Sequence, residues 1–425
     1  MADLPHLFSP PVNAPEGVRG NMLLVIPVPF RRSKGALMIE AQATNGIDRW
    51  ADNFEQVTVA APVMPEELAR TSNGIVWKDE SALMARERVK LVRLPWAYEL
   101  TDFLRHYGAV KLLLRRHIRE CSHLQFAIGA LVGDWAAVAA LEAAAQNRKF
   151  AIHADRVEHE LLLRVTRGAS WPRRLKADVF AALMRRYHRR VIRKCSVGLW
   201  HGSDCFHAYS SWCPENFTIH DIHTKRSDYI SQLALRKKVT GLETSNVVDI
   251  CYAGRLDPMK APLDWLKAIA VSRDLGAPIR AVWYGDGPLR NEAEAEISRL
   301  KLSEIVRMPG FVSDRGDLLA AIRNAHMMLF THITPESPRC LIEALLSGTP
   351  IVGYESRFTG DLTDGFGGGS FVPTNDWENL GRRIAFLATN RPALIQLIRN
   401  AARSGERFND AAVFEERSRL VKQFA

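Results

Sequence analysis

The chain has 425 residues, more than one ordinary core uses, so two domains of about two hundred residues each are expected. Its 47% hydrophobic and 24% charged residues are those of a soluble globular protein, and no segment reaches the apolar length of a membrane span. The formal net charge of +10 calls for an acidic partner: nucleic acid, an anionic membrane surface or a phosphorylated substrate.

Residues 1–20 are rich in Pro, lack a signal-peptide core and read as a flexible tail. Order is expected from Asn21. Met22-Leu23-Leu24-Val25-Ile26 is an uninterrupted apolar run of the buried parallel-strand type. A loop then leads through Pro27-Val28-Pro29-Phe30 to Arg31, Arg32, Lys34 and Gly35. A basic turn containing Gly after a first strand suits phosphate, and equally suits a solvated loop. Residues 36–54 have helical character with a break at Asn45-Gly46, and Val57-Thr58-Val59-Ala60-Ala61 is a second strand. This is the alternation of a doubly wound sheet.

Further strands are expected at 124–128, 150–153 and 197–200, with helices between them, notably over 135–146. His153 stands where a strand opens into the loop Ala154-Asp155-Arg156, the end at which α/β sheets place ligands. It reads either as a ligand contact or as a structural histidine held by backbone bonds. His220-Asp221-Ile222-His223 has no further ligands at a convincing spacing, so it is a loop rather than a metal site, and no metal is expected. The six cysteines are scattered without metal or disulfide spacing, which suits a reducing cytoplasm.

From Arg164 to Lys194 eleven cations face one acid, Asp178, with Trp171, Leu175, Val179, Phe180, Leu183 and Met184 interleaved. A basic helix with an aromatic and aliphatic face is a membrane-surface pattern, and residues 111–119 repeat it on a smaller scale. The bland reading is an amphipathic helix packed on the sheet. Nucleic-acid binding is not expected, because no helix-turn-helix, zinc or stacking motif accompanies the charge. The chain is therefore expected to be cytoplasmic, with peripheral attachment at the inner face of a membrane.

Residues 235–245 are polar and turn-prone, dividing a first domain, 21–240, from a second, 246–407. Val247-Val248-Asp249-Ile250-Cys251-Tyr252-Ala253-Gly254 begins the new sheet. Arg255 and Lys260 follow at its carboxyl end, where two cations can clamp a diphosphate, the Arg bidentately and the Lys as a point charge. Ala281-Val282-Trp283-Tyr284-Gly285-Asp286-Gly287 runs from strand to turn and lacks the third glycine of a dinucleotide fingerprint, so its glycines read as structural. Another strand ends at Gly310-Phe311-Val312.

Ser337 is then a good N-cap, Pro338 fits the first helical position, and Gly348 supplies a left-handed stop before Thr349-Pro350-Ile351-Val352. The N–H groups around Arg339 and Cys340 and the helix dipole favour an anion. Glu343 lies inside the apolar run, so a protein cation or a ligand hydroxyl must occupy its oxygens. Gly365-Phe366-Gly367-Gly368-Gly369 reads as a mobile loop, and 408–425 as a final helix.

Gly254-Arg255-Leu256 with Lys260, and Glu343-Ala344-Leu345 through Gly348-Thr349-Pro350-Ile351-Val352, resemble the signature of the retaining glycosyltransferases of GT-B fold, family 4, the group 1 glycosyl transferases. The resemblance covers residues 247–387 well. It implies an α/β GT-B architecture, two doubly wound Rossmann-like domains facing across a cleft, with 408–425 returning to the N-terminal, acceptor-side domain. It implies that Arg255 and Lys260 bind the nucleotide diphosphate, that Glu343 accepts the ribose hydroxyls, that the helix start at Arg339 and Cys340 meets phosphate, and that Phe311 lies beside the nucleobase. It also implies that His153 meets the donor sugar and that Gly35 belongs to a loop facing the cleft, although the family's Gly-Gly pair is missing. The family's first Glu belongs at position 335, where this chain has Pro335. Glu336, one residue closer, either takes that role at the sugar or the role is lost.

The activity implied is metal-independent, retaining transfer of a sugar from a nucleotide-sugar to a glycan or lipid-linked acceptor, in glycan or polysaccharide biosynthesis. The competing readings are a GT-B epimerase and a nucleotide-sugar-binding scaffold with weakened catalysis.

Overall fold

The structure, a computed structural model, describes residues 20–33, 35–71, 75–220, 222, 224–334 and 337–425. Contacts divide the chain into two compact units, the first made of residues up to 163 with 169–223 and 410–425, the second of 224–409 with 164–168.

The first unit holds β1 (Met22–Val25), β2 (Phe30–Ser33), β3 (Ala36–Glu40), β4 (Val57–Met64), β5 (Trp77–Asp79), β6 (Val89–Leu94), β7 (His123–Ala127), β8 (Ala151–Ala154), β9 (Val197–His201) and β10 (Glu215–Ile219). Its parallel strands run β6-β4-β1-β7-β8-β9-β10. Strand order therefore reverses between β1 and β7. Continuous apolar runs such as Met22–Val25 occupy its middle, buried on both faces by helices as a parallel sheet requires.

Two expectations fail here. The basic loop around Gly35 is the turn of an antiparallel hairpin, β2 with β3, and β3 pairs antiparallel with β5. Phe30, Leu37 and Ile39 are buried while their neighbours are not, so the segment has the two-residue period of a strand, and Gly35 turns it at φ 85°. Helix Ala41–Asn53 begins only after β3 and runs through Asn45-Gly46 without a break, with Gly46 buried.

Against that helix lies the last one, Asp410–Phe424. Phe414 meets the edge of Trp50 with ring centroids 5.4 Å apart, and the buried Asp410 pairs with Arg49 at 3.1 Å and accepts from the Asn45 amide at 3.0 Å.

The second unit is a single parallel sheet of β11 (Val248–Ala253), β12 (Ile279–Tyr284), β13 (Val306–Gly310), β14 (Met327–Phe330), β15 (Ile351–Tyr354) and β16 (Gly369–Val372) in the order β13-β12-β11-β14-β15-β16. Numbered within the unit this is 3-2-1-4-5-6, the doubly wound order whose strand direction of growth reverses between β11 and β14. The segment expected as an interdomain turn, 235–245, is instead largely helix, Gln232–Thr244, started by Ser231 Oγ accepting from the Ala234 N–H at 3.2 Å and fixed by burial of Val239 and Leu242. The glycine run before β16 is packed rather than mobile. Ser404 Oγ donates to the Gly367 carbonyl at 2.7 Å, and a Cβ on Gly368 would lie 2.5 Å from Ala401 Cα.

Candidate functional site

In a doubly wound sheet, ligands bind where strand order reverses, outside the carboxyl ends of the strands. In the second unit that point lies between the exits of β11 and β14. The β11 exit is held by its neighbour: Gly254 N–H donates to Tyr284 O at 2.9 Å, Leu256 N–H to Asp286 O at 3.0 Å, and Leu289 N–H to Leu256 O at 3.0 Å. The approach is close enough that a Cβ on Gly285, at φ 146°, would lie 2.0 Å from the Gly254 carbonyl oxygen. Gly285 N–H in turn donates to Gly310 O at 2.8 Å, tying in the end of β13. These glycines are structural, as their sequence indicated.

Arg255 stands between the two pinned residues Gly254 and Leu256. Its side chain is exposed and makes no hydrogen bond or ion pair with the described residues. An unpartnered guanidinium on a fixed backbone is a ready anion ligand. Lys260 closes a short turn, Pro258–Lys260, that begins with Asp257 Oδ1 accepting from the Met259 N–H at 3.1 Å. The turn is tied to the β14 exit: Thr331 Oγ1 donates to the carbonyls of Lys260 and Ala261 at 2.8 and 3.0 Å, and Ile333 N–H to that of Met259 at 3.0 Å. The two exits at the reversal point thus form one bonded frame. Within it the buried His332 meets the Tyr252 hydroxyl through Nε2 at 2.5 Å. Burial, with Lys260 nearby, pushes His332 far below the usual histidine range and keeps it neutral.

Helix Arg339–Leu346 follows β14. It starts one residue later than its sequence suggests, with Pro338, whose ring makes no capping hydrogen bond, at the cap position. Its other end matches the expectation: Gly348 at φ 62° closes a Schellman motif, with Thr349 N–H to Ala344 O at 2.8 Å and Gly348 N–H to Leu345 O at 2.9 Å. Lys238 reinforces that end, its ammonium donating to Thr349 Oγ1 at 2.7 Å, and burial pushes this lysine down to about 7.

Glu343 projects from the helix with 15% of its side chain exposed and pairs with Arg315 Nη2 at 3.3 Å, while Arg315 Nη1 holds Asp228 at 2.9 Å. The cation that its burial demands is therefore Arg315, 28 residues away in sequence. Burial still raises the Glu343 carboxyl above its usual range, against the pull of Arg315 and Arg339. Phe311 is half exposed at the end of β13, just after Gly310 at φ 93°.

The exits of β11, β13 and β14, with the helix after β14, thus present Arg255, Lys260, Phe311, Arg339, Cys340 and Glu343 within one unit. Glu336 lies outside the described residues. His153 and Gly35 belong to the first unit. His153 is buried at the end of β8, with Nδ1 on the Leu199 carbonyl at 2.9 Å and Nε2 on Asp155 Oδ1 at 2.7 Å. One ring nitrogen thus meets a backbone carbonyl and the other the Asp155 carboxylate of the loop that follows the strand. Gly35 sits in the turn of the β2–β3 hairpin. Of the His220 to His223 segment, positions 221 and 223 lie outside the described residues, and among the described residues no group of three His, Cys, Asp or Glu side chains could hold a metal.

Sequence reading missed Tyr252, His332 and Arg315. His332 had a signal, as one of the first polar residues after the buried run Met327–Phe330, whereas the reach of Arg315 to Glu343 is tertiary.

Residues 236–404 match the family model described as Glycosyl transferases group 1. WcaL of Escherichia coli strain K12, whose name assigns it provisionally to colanic acid biosynthesis as a glycosyltransferase, is 25% identical over 191 residues, 39% of this chain and 47% of its own. The 2-deoxystreptamine glucosyltransferase of Streptomyces kanamyceticus is 29% identical over 119 residues, 28% of this chain and 30% of its own. The chain thus spans less than half the length of these curated relatives. Among solved structures, Anabaena HepE in complex with UDP-glucose aligns over 95% of this chain and all of its own at TM-score 0.62 and 14% identity. Sucrose-phosphate synthase of Thermosynechococcus elongatus aligns over 95% and 99% at TM-score 0.67 and 13% identity. The fold is GT-B.

Proposed function

We propose that this chain, with its group 1 glycosyl transferase region at residues 236–404, is a glycosyltransferase that moves a sugar, with retention, from a nucleotide-sugar to a glycan or lipid-linked acceptor. The observation that carries this reading is Arg255, exposed and without a partner among the described residues, beside Lys260 at the reversal point of a 3-2-1-4-5-6 sheet.

The chemistry follows from charge. Breaking the sugar–phosphate bond leaves a diphosphate and an oxocarbenium-like sugar, so the demand is for stabilised negative charge at the leaving group. Arg255 binds the diphosphate as a fork, Lys260 adds a point charge from a turn bonded to the β14 exit, and the start of helix Arg339–Leu346 contributes its dipole. Cys340 lies in that first turn. Glu343, oriented by Arg315, accepts the ribose hydroxyls, Phe311 lies against the base, and Glu336 contacts the sugar. In this reading no metal is needed.

A lipid-proximal acceptor is favoured by helix Trp171–Ile192. Trp171 is 75% exposed, and Leu175, Val179 and Leu183 follow at four-residue steps along the same exposed stripe, flanked by Arg173, Arg174 and Lys176. Apolar side chains in a bed of cations suit an anionic lipid surface, to which each cation contributes about 1 kcal/mol.

Calorimetry with UDP and a panel of nucleotide-sugars tests the reading. Binding of one nucleotide-sugar is expected, followed by release of its nucleotide only when acceptor is added, undiminished by a chelator. No binding across the panel would reject it, and dependence on magnesium or manganese would reject the metal-free version.

A further inference from the structure

We propose that the first unit carries a separate groove for the anionic groups, carboxylate or phosphate, of a saccharide chain, along the outer edge of β6. The groove stands on its own geometry, and only its role in holding an acceptor rests on the glycosyl-transfer reading.

A cavity of about 470 Å³ lies between the β2–β3 hairpin turn and β6. Four cations line it, Arg32 from β2, Arg86 from the turn before β6, and Lys90 and Arg93 from β6 itself, against one acid, Glu80. Arg86 takes that acid at 3.0 Å and also donates to the Val89 carbonyl at 3.2 Å. Arg32, Lys90 and Arg93 make no hydrogen bond or ion pair with the described residues. Lys90 lies within electrostatic reach of Glu120, whereas Arg32 and Arg93 have no such counter-charge among the described residues and repel each other across the cavity.

Protection of an exposed strand edge is the ordinary reason for cations on β6, which among the described residues pairs only with β4. That reason covers Lys90 and Arg93. It does not bring Arg32 from the hairpin to the same cavity.

Arg32 and Arg93 also border a second cavity of about 450 Å³ that reaches the carboxyl ends of β4 and β6 at Met64 and Leu94, with Glu66 on its wall. The two cavities therefore adjoin through a pair of arginines, and the groove runs up to the carboxyl ends of β4 and β6, apart from the reversal point between β1 and β7. Each volume falls in the roughly 300–1,000 Å³ range of small-ligand pockets. Arg32 and Arg93 are forks suited to carboxylate or phosphate, and the mixed apolar and polar wall suits sugar rings.

The test is calorimetric, on the full chain, with tetragalacturonate, inorganic tripolyphosphate, neutral maltotetraose and a DNA duplex as probes. With UDP present in saturating amount to occupy the nucleotide site, tetragalacturonate or tripolyphosphate is expected to bind, the stronger of the two identifying the anion, with maltotetraose at least tenfold weaker than that anion. Arg32→Ala with Arg93→Ala should weaken the anion at least tenfold with an unchanged melting temperature. If that pair fails to fold, Arg32→Gln alone should still weaken it severalfold. Equal binding of charged and neutral saccharides, wild-type affinity in a folded variant, or duplex DNA bound as tightly and lost equally overturns the proposal. UDP binding, measured on the same samples, separates the two readings: UDP retained without tetragalacturonate or tripolyphosphate binding rejects the groove alone, and the reverse rejects the nucleotide site alone.

Discussion

The exits of the first strand in each unit are built on opposite principles. After β11 the backbone is pinned to the neighbouring strand exits by hydrogen bonds from residues 254, 256, 285 and 289, and Gly285 admits nothing beyond its hydrogens. After β1 the chain instead continues into a hairpin whose glycine, Gly35, faces open space. A glycine in sequence therefore marks either a crowded backbone or a tight turn. Only its surroundings distinguish a frame that can position charges from an accessory strand pair.

The largest effect expected from this contrast is at Gly285. Gly285→Ala imposes a left-handed φ costing about 1–2 kcal/mol and a clash with a backbone oxygen that adds about 1–3 kcal/mol by displacement. A loss of about 3 kcal/mol in denaturant unfolding of the second unit is expected, together with loss of nucleotide binding. A variant of wild-type stability would show that the frame is not rigid.

Arg255→Ala comes next, and sharpens the contrast by removing charge without touching the frame. Hydrogen bonds to charged groups contribute about 1.5–3 kcal/mol, so nucleotide affinity should fall roughly ten- to a hundredfold. The melting temperature should not move, because the side chain has no partner among the described residues. Unaltered affinity by calorimetry would remove Arg255 from the site.

Glu343→Gln is expected to weaken the nucleotide about tenfold, since an amide with two donors cannot accept two hydroxyls as a carboxylate does. Arg315 keeps Asp228 in the variant, and removing the largely buried Glu343 charge also removes its desolvation cost, so stability should change little. A variant altered in stability but not in affinity would reduce Glu343 to the ion pair with Arg315.

How far sequence reached follows the same division. Met22–Val25, Val248–Ala253 and Met327–Phe330 were legible because a strand buried on both faces is a continuous apolar run. The Gly348 stop was legible because its signal is local. The hairpin was not, because Arg31 and Arg32 give β2 the look of a loop while the burial of Phe30, Leu37 and Ile39 emerges only once the strands pair. The partners of Glu343 and His332 were hidden for a different reason: Arg315 and Tyr252 reach them through the fold, from 28 and 80 positions away.

A smaller effect separates the units by pH. His159 in the first unit and His326 in the second are both pushed down to about 4 by burial. Between pH 6.5 and 4 the unfolded chain binds protons that the folded chain does not, so acid destabilises both units. Lys238, pushed down to about 7, acts on the second unit in the alkaline range. From pH 7 toward 10.5 the unfolded chain holds the proton that the folded lysine has lost, so stability rises with pH, by at most about 1.4 kcal/mol per unit for one group. Lys238→Met should flatten the rise between pH 7 and 9, measured by urea unfolding. An identical slope in the variant would mean that Lys238 keeps its charge when folded.

The smallest effect belongs to Gly35, and it decides between a turn and a phosphate-facing loop. At φ 85° with nothing within 4 Å of a Cβ, alanine meets only the backbone penalty of about 1 kcal/mol, and asparagine, which tolerates the left-handed region, meets less. In a hairpin turn, therefore, Gly35→Asn should be nearly silent and Gly35→Ala mildly destabilising, with nucleotide affinity the same in both. A loop that brings its backbone against a phosphate excludes any side chain at the glycine, so both variants would then lose affinity by similar amounts whatever their stability. Calorimetry with UDP on the two variants, beside their melting temperatures, separates these outcomes. Equal loss of affinity in both would return Gly35 to the nucleotide site, and with it the expectation that the two strand exits do the same work.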